Sequence, residues 1–256
     1  MTLAILIPSK NRHAELARGL RTVLPMARRA GAEVIVCDQS PTPFVAPDVV
    51  RVLHRPELSG LPAARNALLA ATTADVVLFL DDDSDVAKDV GTQLRTLAVH
   101  EPTVAAWGAV VEARSPCMRL AHRLLHLGCF RDVRRLTSRR VDRNTPELFG
   151  CCFAVRRSAA LAVGGFDARL PGYALGEDRD FCWRLRDAGF HLRFSAVLRA
   201  HHRAAGGGNP ALRPRLAYLR WWAARHGRGN PATVIHLVLV TLAWTLRKVR
   251  SKKAEG

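Results

Sequence analysis

No two of this chain's six cysteines have the CxxC spacing of a zinc or redox site. Cys37, Cys117, Cys129, Cys151, Cys152 and Cys182 are therefore expected as reduced thiols. There is no GxxxxGK[ST] loop, which weighs against a P-loop enzyme. The opening MTLAILIPSKNR has no charged n-region, long apolar core or small-residue cleavage site. A secretory signal is thus not expected, and a cytoplasmic location is. Neither an internal repeat nor a low-complexity tract is present. The apolar stretch ATVIHLVLVTLAWTL, at 232–246, is about 15 residues long, short of the ~20 that span a bilayer.

Acidic residues are the scarce charge. Asp and Glu number 22 against 39 Lys and Arg, for a formal net charge of +17. Such a balance suits an anionic partner, whether nucleic acid, anionic lipid or a phosphorylated substrate, and also fits a general arginine bias. Much of the excess lies after residue 113, so the basic surface is expected to be distinct from any acidic site nearer the start. With 256 residues and 48% apolar content, the chain can build one large core with an appendage.

Against that basic background, VVLFLDDDSD at 76–85 stands out: five apolar residues run straight into three aspartates. Crowded carboxylates at the end of a buried strand are costly unless a cation neutralises them. Other apolar runs, LAILIPS, AEVIVCDQS and VVRVLHR, read as strands, with helices at about 12–30 and over LPAARNALLAAT. Continuous apolar strands alternating with helices predict an α/β fold with a mostly parallel, Rossmann-like sheet covered on both faces. Ligands gather at the carboxyl ends of such strands. Here those ends carry Ser9, Lys10 and Asn11, then Asp38, then Asp81 to Asp83.

Further along, about 85–100 reads as a helix and TVAAWGAVV as a strand. A helix near 116–127 and an arginine-rich loop are expected next. ELFGCCFAVRRSAALAVGGFD then gives a strand, a short helix and a glycine turn. GEDRDFCWRLRDAGF reads as a helix ended by Gly189, and HLRFSAVLRAHH as one or two short strands. Gly206 to Gly208 and Pro210 mark an expected boundary between a domain at 1–205 and a helical extension at 206–256. In that extension, the apolar segment flanked by Trp221, Trp222 and RKVRSKK suits an anionic membrane surface, or packing on its own domain or in a homodimer.

The ordered set IPSKNR, VIVCDQS, GLPAARN, FLDDD, GGFD and GEDRDFCWRL resembles the family 2 glycosyltransferases of the GT-A fold, over about residues 3–202. The resemblance implies inverting, metal-dependent transfer of a sugar from a nucleotide-diphosphate donor to an acceptor hydroxyl. It implies that Asp81 and Asp83 bind a divalent metal, Mn²⁺ or Mg²⁺, with Asp81 and Asp82 facing the donor. Asp38 is implied to accept a hydrogen bond from the base, and Pro8 and Asn11 to shape its pocket. Arg65 is implied to lie close to the phosphates or to the DxD carboxylates. Asp178 is implied to be the general base and Glu177 to orient the acceptor, while His201 or His202 completes the metal shell, His201 being preferred.

Each residue also has a plainer reading. The three aspartates or the Glu177–Asp178 pair suit helix starts, Asp38 suits a turn, and Arg65 suits a surface. Arg12 fits an ordinary helix start and Asp180 an outer helix face. Trp183 suits an acceptor wall or a core position, and the GGF turn a structural role. A nucleotidyl- or phosphotransferase is the competing enzyme class. A nucleic-acid-binding module has only charge in its favour.

Overall fold

The continuous apolar runs form strands buried on both faces. The computed structural model describes residues 1–113, 143–145, 147–170, 176–203 and 205. All of these except Arg169 and Leu170 belong to one compact unit. Its elements are β1 (Leu3–Ser9), α1 (His13–Ala30), β2 (Glu33–Asp38), β3 (Val50–His54), α2 (Leu61–Ala70), β4 (Val76–Leu80) and β5 (Ser84–Val86). They continue with α3 (Val90–His100), β6 (Val104–Ala113), β7 (Arg143–Asn144), β8 (Cys152–Arg156), α4 (Arg157–Ala162), α5 (Glu177–Asp187) and β9 (His191–His202).

The sheet order is β3-β2-β1-β4-β8-β6-β9-β5, with β7 beside β9. Every residue of β1 and of β4 is buried. The strand alternation sorts their side chains into two cores. Leu3, Ile5 and Ile7, with Val76, Leu78 and Leu80, join Leu16, Leu20 and Val23 of α1 and Leu94 of α3. Ala4 and Leu6, with Val77 and Phe79, join Ala64 and Leu68 of α2 and Phe181 and Leu185 of α5. Each large aliphatic or aromatic side chain so placed stabilises the fold by about 1.5–3 kcal/mol.

The expected parallel sheet holds for β3, β2, β1 and β4. The remainder is mixed: β8 runs antiparallel to both β4 and β6, β9 runs parallel to β6, and β5 and β7 are antiparallel to β9. An unbroken apolar run reports burial on two faces and carries no information on strand direction.

Two expected elements differ. The helix expected over 85–100 starts only at Val90, because Ser84 to Val86 pair with β9 instead. The late start also means that Asp81 to Asp83 cap no helix. HLRFSAVLRAHH forms one strand of 12 residues, with a register shift opposite Ala109 and Val110; it pairs with β6 along its length, and Ala200 to His202 pair with β5 as well. The helix expected near 116–127, the boundary at 206 and the C-terminal helices lie outside the described residues. Among the described residues, no helix is long and apolar enough to cross a membrane.

One close approach positions the site. Helix α1 passes the turn after β4 at Gly19, where a Cβ would lie 2.9 Å from the Asp82 carbonyl oxygen and 3.3 Å from that of Ser84. Alanine in a helix is worth about 1 kcal/mol over glycine. The clash here is with backbone, which yields at a cost of about 1–3 kcal/mol. Gly19→Ala is therefore expected to lower stability in urea denaturation, despite its better helix propensity.

Candidate active site

Strand β4 ends at Leu80, and the chain turns at once. The Asp81 N–H donates to the Cys151 carbonyl, and the Ser84 N–H to that of Asp81. Through this turn the three carboxylates alternate in direction. Asp82 points to the end of β1, where the Ser9 hydroxyl donates to its Oδ2 at 2.9 Å and Arg12 lies 3.4 Å from its Oδ1. Burial pushes Asp82 up to about 7, against the opposing pull of Arg12 and Ser9.

Asp81 and Asp83 share the other side with His202. One ligand atom from each of the three lies within 4.8 Å of the others. His202 Nε2 is 3.0 Å from Asp83 Oδ1 and 3.9 Å from Asp81 Oδ2. The two oxygens of Asp83 have different surroundings. Its Oδ2 accepts from Arg12 at 2.7 Å and from the Ala205 N–H at 2.9 Å. Its Oδ1 is buried with no aligned hydrogen-bond donor. Burial opposes ionisation of Asp83, but His202 and Arg12 outweigh it and hold the carboxyl well below the usual carboxylate range.

A buried, ionised oxygen without an aligned donor, flanked by a second carboxylate and an imidazole, suits a divalent cation. His201 was the preferred ligand from the sequence and does not join this group. It sits opposite Asp85 in the β5–β9 register, and its neighbour along the strand, His202, turns to the aspartates.

Arg65 lies at the centre of the site and is 0% exposed. Its guanidinium sits 5.2–5.7 Å from the ring centroids of Phe166, Phe153 and Phe79. It donates to Glu177 Oε1 at 2.7 Å, to Asp81 Oδ1 at 3.3 Å and to the Gly150 carbonyl at 2.8 Å. Of the two expectations for Arg65, the carboxylate contact is present. Its full enclosure excludes the surface reading.

Glu177 and Asp178 open α5 behind Gly176. Glu177 is buried against Arg65. Burial and the neighbouring Asp178 carboxylate raise its pKa, with Arg65 opposing. Asp178 is only partly buried, and it accepts from the N–H groups of Gly150 at 2.9 Å and Arg179 at 2.8 Å. At Gly150 a Cβ would lie 3.0 Å from Asp178 Oδ2 and 3.2 Å from Glu177 Oε1, so a side chain there would press on both carboxylates.

Asp180 is fully buried, not on the outer face. It holds Arg184, which donates to the carbonyls of Val163 and Gly165. The Asn66 side chain accepts from the Phe166 N–H and donates to its carbonyl, which pins the same GGF turn. Trp183 is half-buried and donates to Glu147.

The third strand end is organised around Asp38, which is also fully buried. Its carboxylate accepts from the N–H groups of Ser40 and Phe44, and His13 Nε2 lies 3.2 Å away. Burial opposes the charge, but the Ser40 and Phe44 donors and His13 prevail and lower the pKa. Asp38 thus holds its own loop, beneath the tilted His13–Phe44 ring pair. The expected contact with a base finds it enclosed. Pro8 is buried within β1 opposite Cys37. Asn11 is exposed at φ 56°, and its N–H donates to the Ser40 hydroxyl, so it shapes the turn between β1 and the Asp38 loop.

Sequence reasoning missed the roles of Ser9, Arg12, Gly150 and Ala205. The NR dipeptide offered only a helix start, and Gly150 offered no periodic signal.

Comparison with known proteins identifies the family and the fold. The model of the family described as Glycosyl transferase family 2 matches residues 4–164. The Pre-mycofactocin glycosyltransferase of Mycobacterium tuberculosis is 36% identical over 252 residues, covering 91% of this chain and 48% of that protein. The chain thus spans about half the length of that relative. Among solved structures, GalNAc-T7 with UDP, GalNAc and Mn²⁺ aligns with a TM-score of 0.63 at 17% identity, over 87% of this chain and 47% of that one. The mannosyltransferase PcManGT from Pyrobaculum calidifontis, in complex with GDP-Man and Mn²⁺, gives 0.62 at 18% identity, over 93% and 68%. Both show the GT-A fold.

Removing the buried cation leaves Asp81 and Glu177 facing each other's charge without it. Arg65→Met is therefore expected to cost about 3–5 kcal/mol in denaturant unfolding. Arg65→Lys should recover only part of this, because an ammonium cannot reproduce the planar fork.

Proposed function

Since this chain belongs to glycosyl transferase family 2, we propose that it transfers a sugar from a nucleotide-diphosphate donor to an acceptor hydroxyl, with inversion, in one displacement at the anomeric carbon. Asp81, Asp83 and His202 would hold a divalent cation, and the imidazole in that set favours Mn²⁺ over Mg²⁺. The observation that carries the reading is the single guanidinium shared by Asp81 and Glu177, next to Asp178. It puts a cation-suited cluster and a base-suited carboxylate around one enclosed anchor, as a transfer between a diphosphate and a hydroxyl requires. The nucleotidyl- and phosphotransferase readings and the nucleic-acid module are not favoured by the family match.

In this mechanism the donor diphosphate lies at the β4 turn. When bound, the cation neutralises charge on the departing diphosphate. Asp178 accepts the proton of the acceptor hydroxyl as that oxygen bonds to the anomeric carbon. The bond from that carbon to the diphosphate oxygen breaks, and its electron pair leaves with the nucleoside diphosphate. Asp178 is suited to the base role because it is partly open and held in place by two backbone donors. Glu177 is enclosed and tied to Arg65, which makes it the group that orients Asp178 and the acceptor side. Asp82 faces Ser9 and Arg12, so its part is to hold the turn on which the donor sits.

Calorimetry with UDP and GDP, with and without Mn²⁺, beside release of nucleoside diphosphate from nucleotide sugars, tests these roles. Asp178→Asn should keep metal-dependent nucleotide binding and lose about 10²–10⁴ in turnover. Asp83→Asn should lose the metal-dependent binding itself, and Asp82→Asn less of it. Full turnover by Asp178→Asn, or full activity in excess EDTA, would contradict the assignment.

A further inference from the structure

Resting on the metal-assisted reading above, we propose that Arg12 is a positioning residue, which turns one oxygen of Asp83 toward the cation. The geometry separates the two oxygens of that carboxylate. Arg12 and the Ala205 N–H both donate to Oδ2, at 2.7 and 2.9 Å. With Oδ2 so held, Oδ1 is left on the side of His202 and Asp81.

The second arm of the guanidinium lies 3.4 Å from Asp82, whose other oxygen is held by Ser9. One planar fork thus spans adjacent carboxylates that point in different directions, a task that suits arginine over lysine. Arg12 is itself placed by the residue before it. Asn11 takes the left-handed conformation and donates its N–H to Ser40, which directs the chain into α1 just where the side chain must reach the β4 turn. The Arg12 side chain is one-quarter exposed, consistent with a group at the edge of a site and not in the core.

Charge and geometry make opposite demands on this residue. A guanidinium next to a cation site repels the cation, so if its charge alone mattered, its removal would tighten metal binding. If Arg12 acts by orienting Asp83, its removal loosens metal binding even though a positive charge has gone. Loss of a group that orients a metal ligand typically costs about 10–100-fold in affinity.

The test is a titration of the full chain with Mn²⁺ alone, read from the electron paramagnetic resonance signal of the free ion, with circular dichroism reporting the fold. Arg12→Ala and Arg12→Gln are expected to bind Mn²⁺ about 10–100-fold more weakly. Arg12→Lys should fall between them and wild type. Arg28→Ala, which removes a charge from an exposed position of α1, should leave affinity unchanged. Equal or tighter binding by Arg12→Ala would overturn the proposal. So would full affinity in Arg12→Lys, the deciding variant if the others do not fold, or an equal loss in Arg28→Ala. Asp83→Asn separates this failure from that of the metal site: if it binds Mn²⁺ like wild type, or if wild type binds none, the site itself is refuted and the role of Arg12 with it.

Discussion

The site depends on one enclosed cation. Arg65 has no exposed surface, is walled by three phenylalanine rings, and donates to a carboxylate from each of two distant parts of the chain. Burying a guanidinium is costly unless its donors are met by well-placed acceptors. Asp81, Glu177 and the Gly150 carbonyl meet that demand at the two terminal nitrogens, though not at Nε, and in doing so they fix where the β4 turn, the start of α5 and the loop before β8 lie relative to one another. The GGF turn supplies Phe166 to the wall and is pinned by Asn66 and Arg184. The aromatic core and the polar site are in this sense one construction.

A second constraint is the excess of negative charge. Asp81, Asp82, Asp83, Glu177 and Asp178 converge on two guanidinium groups, Arg12 and Arg65, with His202 beside them. The protein responds unevenly. Burial raises Asp82 and Glu177, while Asp83 is kept ionised by His202 and Arg12. The Asp83 oxygen that lacks an aligned donor faces His202 and Asp81. In a chain of net charge +17, this local reversal of sign marks the site more clearly than overall charge does.

Much of the fold was legible because burial on two faces leaves unbroken apolar runs. The ends of β1, β2 and β4 were legible because polar residues follow those runs. Strand direction was not legible, since hydropathy is the same read either way, and so the antiparallel β8 could not be foreseen. The cluster of Asp81 and Asp83 could be read from local sequence. The choice of His202 over His201 could not, because it depends on the phase of a bulged strand. Arg12 meets Asp83 from 71 positions away and Arg65 meets Glu177 from 112. Contacts of that span leave no trace in spacing. Asp38 and Arg65 were identified as important, but their complete enclosure was not apparent, because composition does not say which polar residues the fold will cover.

The central claim is that Asp81 and Glu177 act on each other through Arg65. A double-mutant cycle on unfolding free energy tests it without any substrate. In Asp81→Asn or Glu177→Gln alone, the guanidinium keeps the other carboxylate, and some carboxylate repulsion is relieved. In the double variant, both of these partners are lost together. The account predicts that the double variant loses more than the sum of the singles, by about 1–3 kcal/mol. Losses that add to within about 0.5 kcal/mol would mean that the two carboxylates are independent, and would contradict the account.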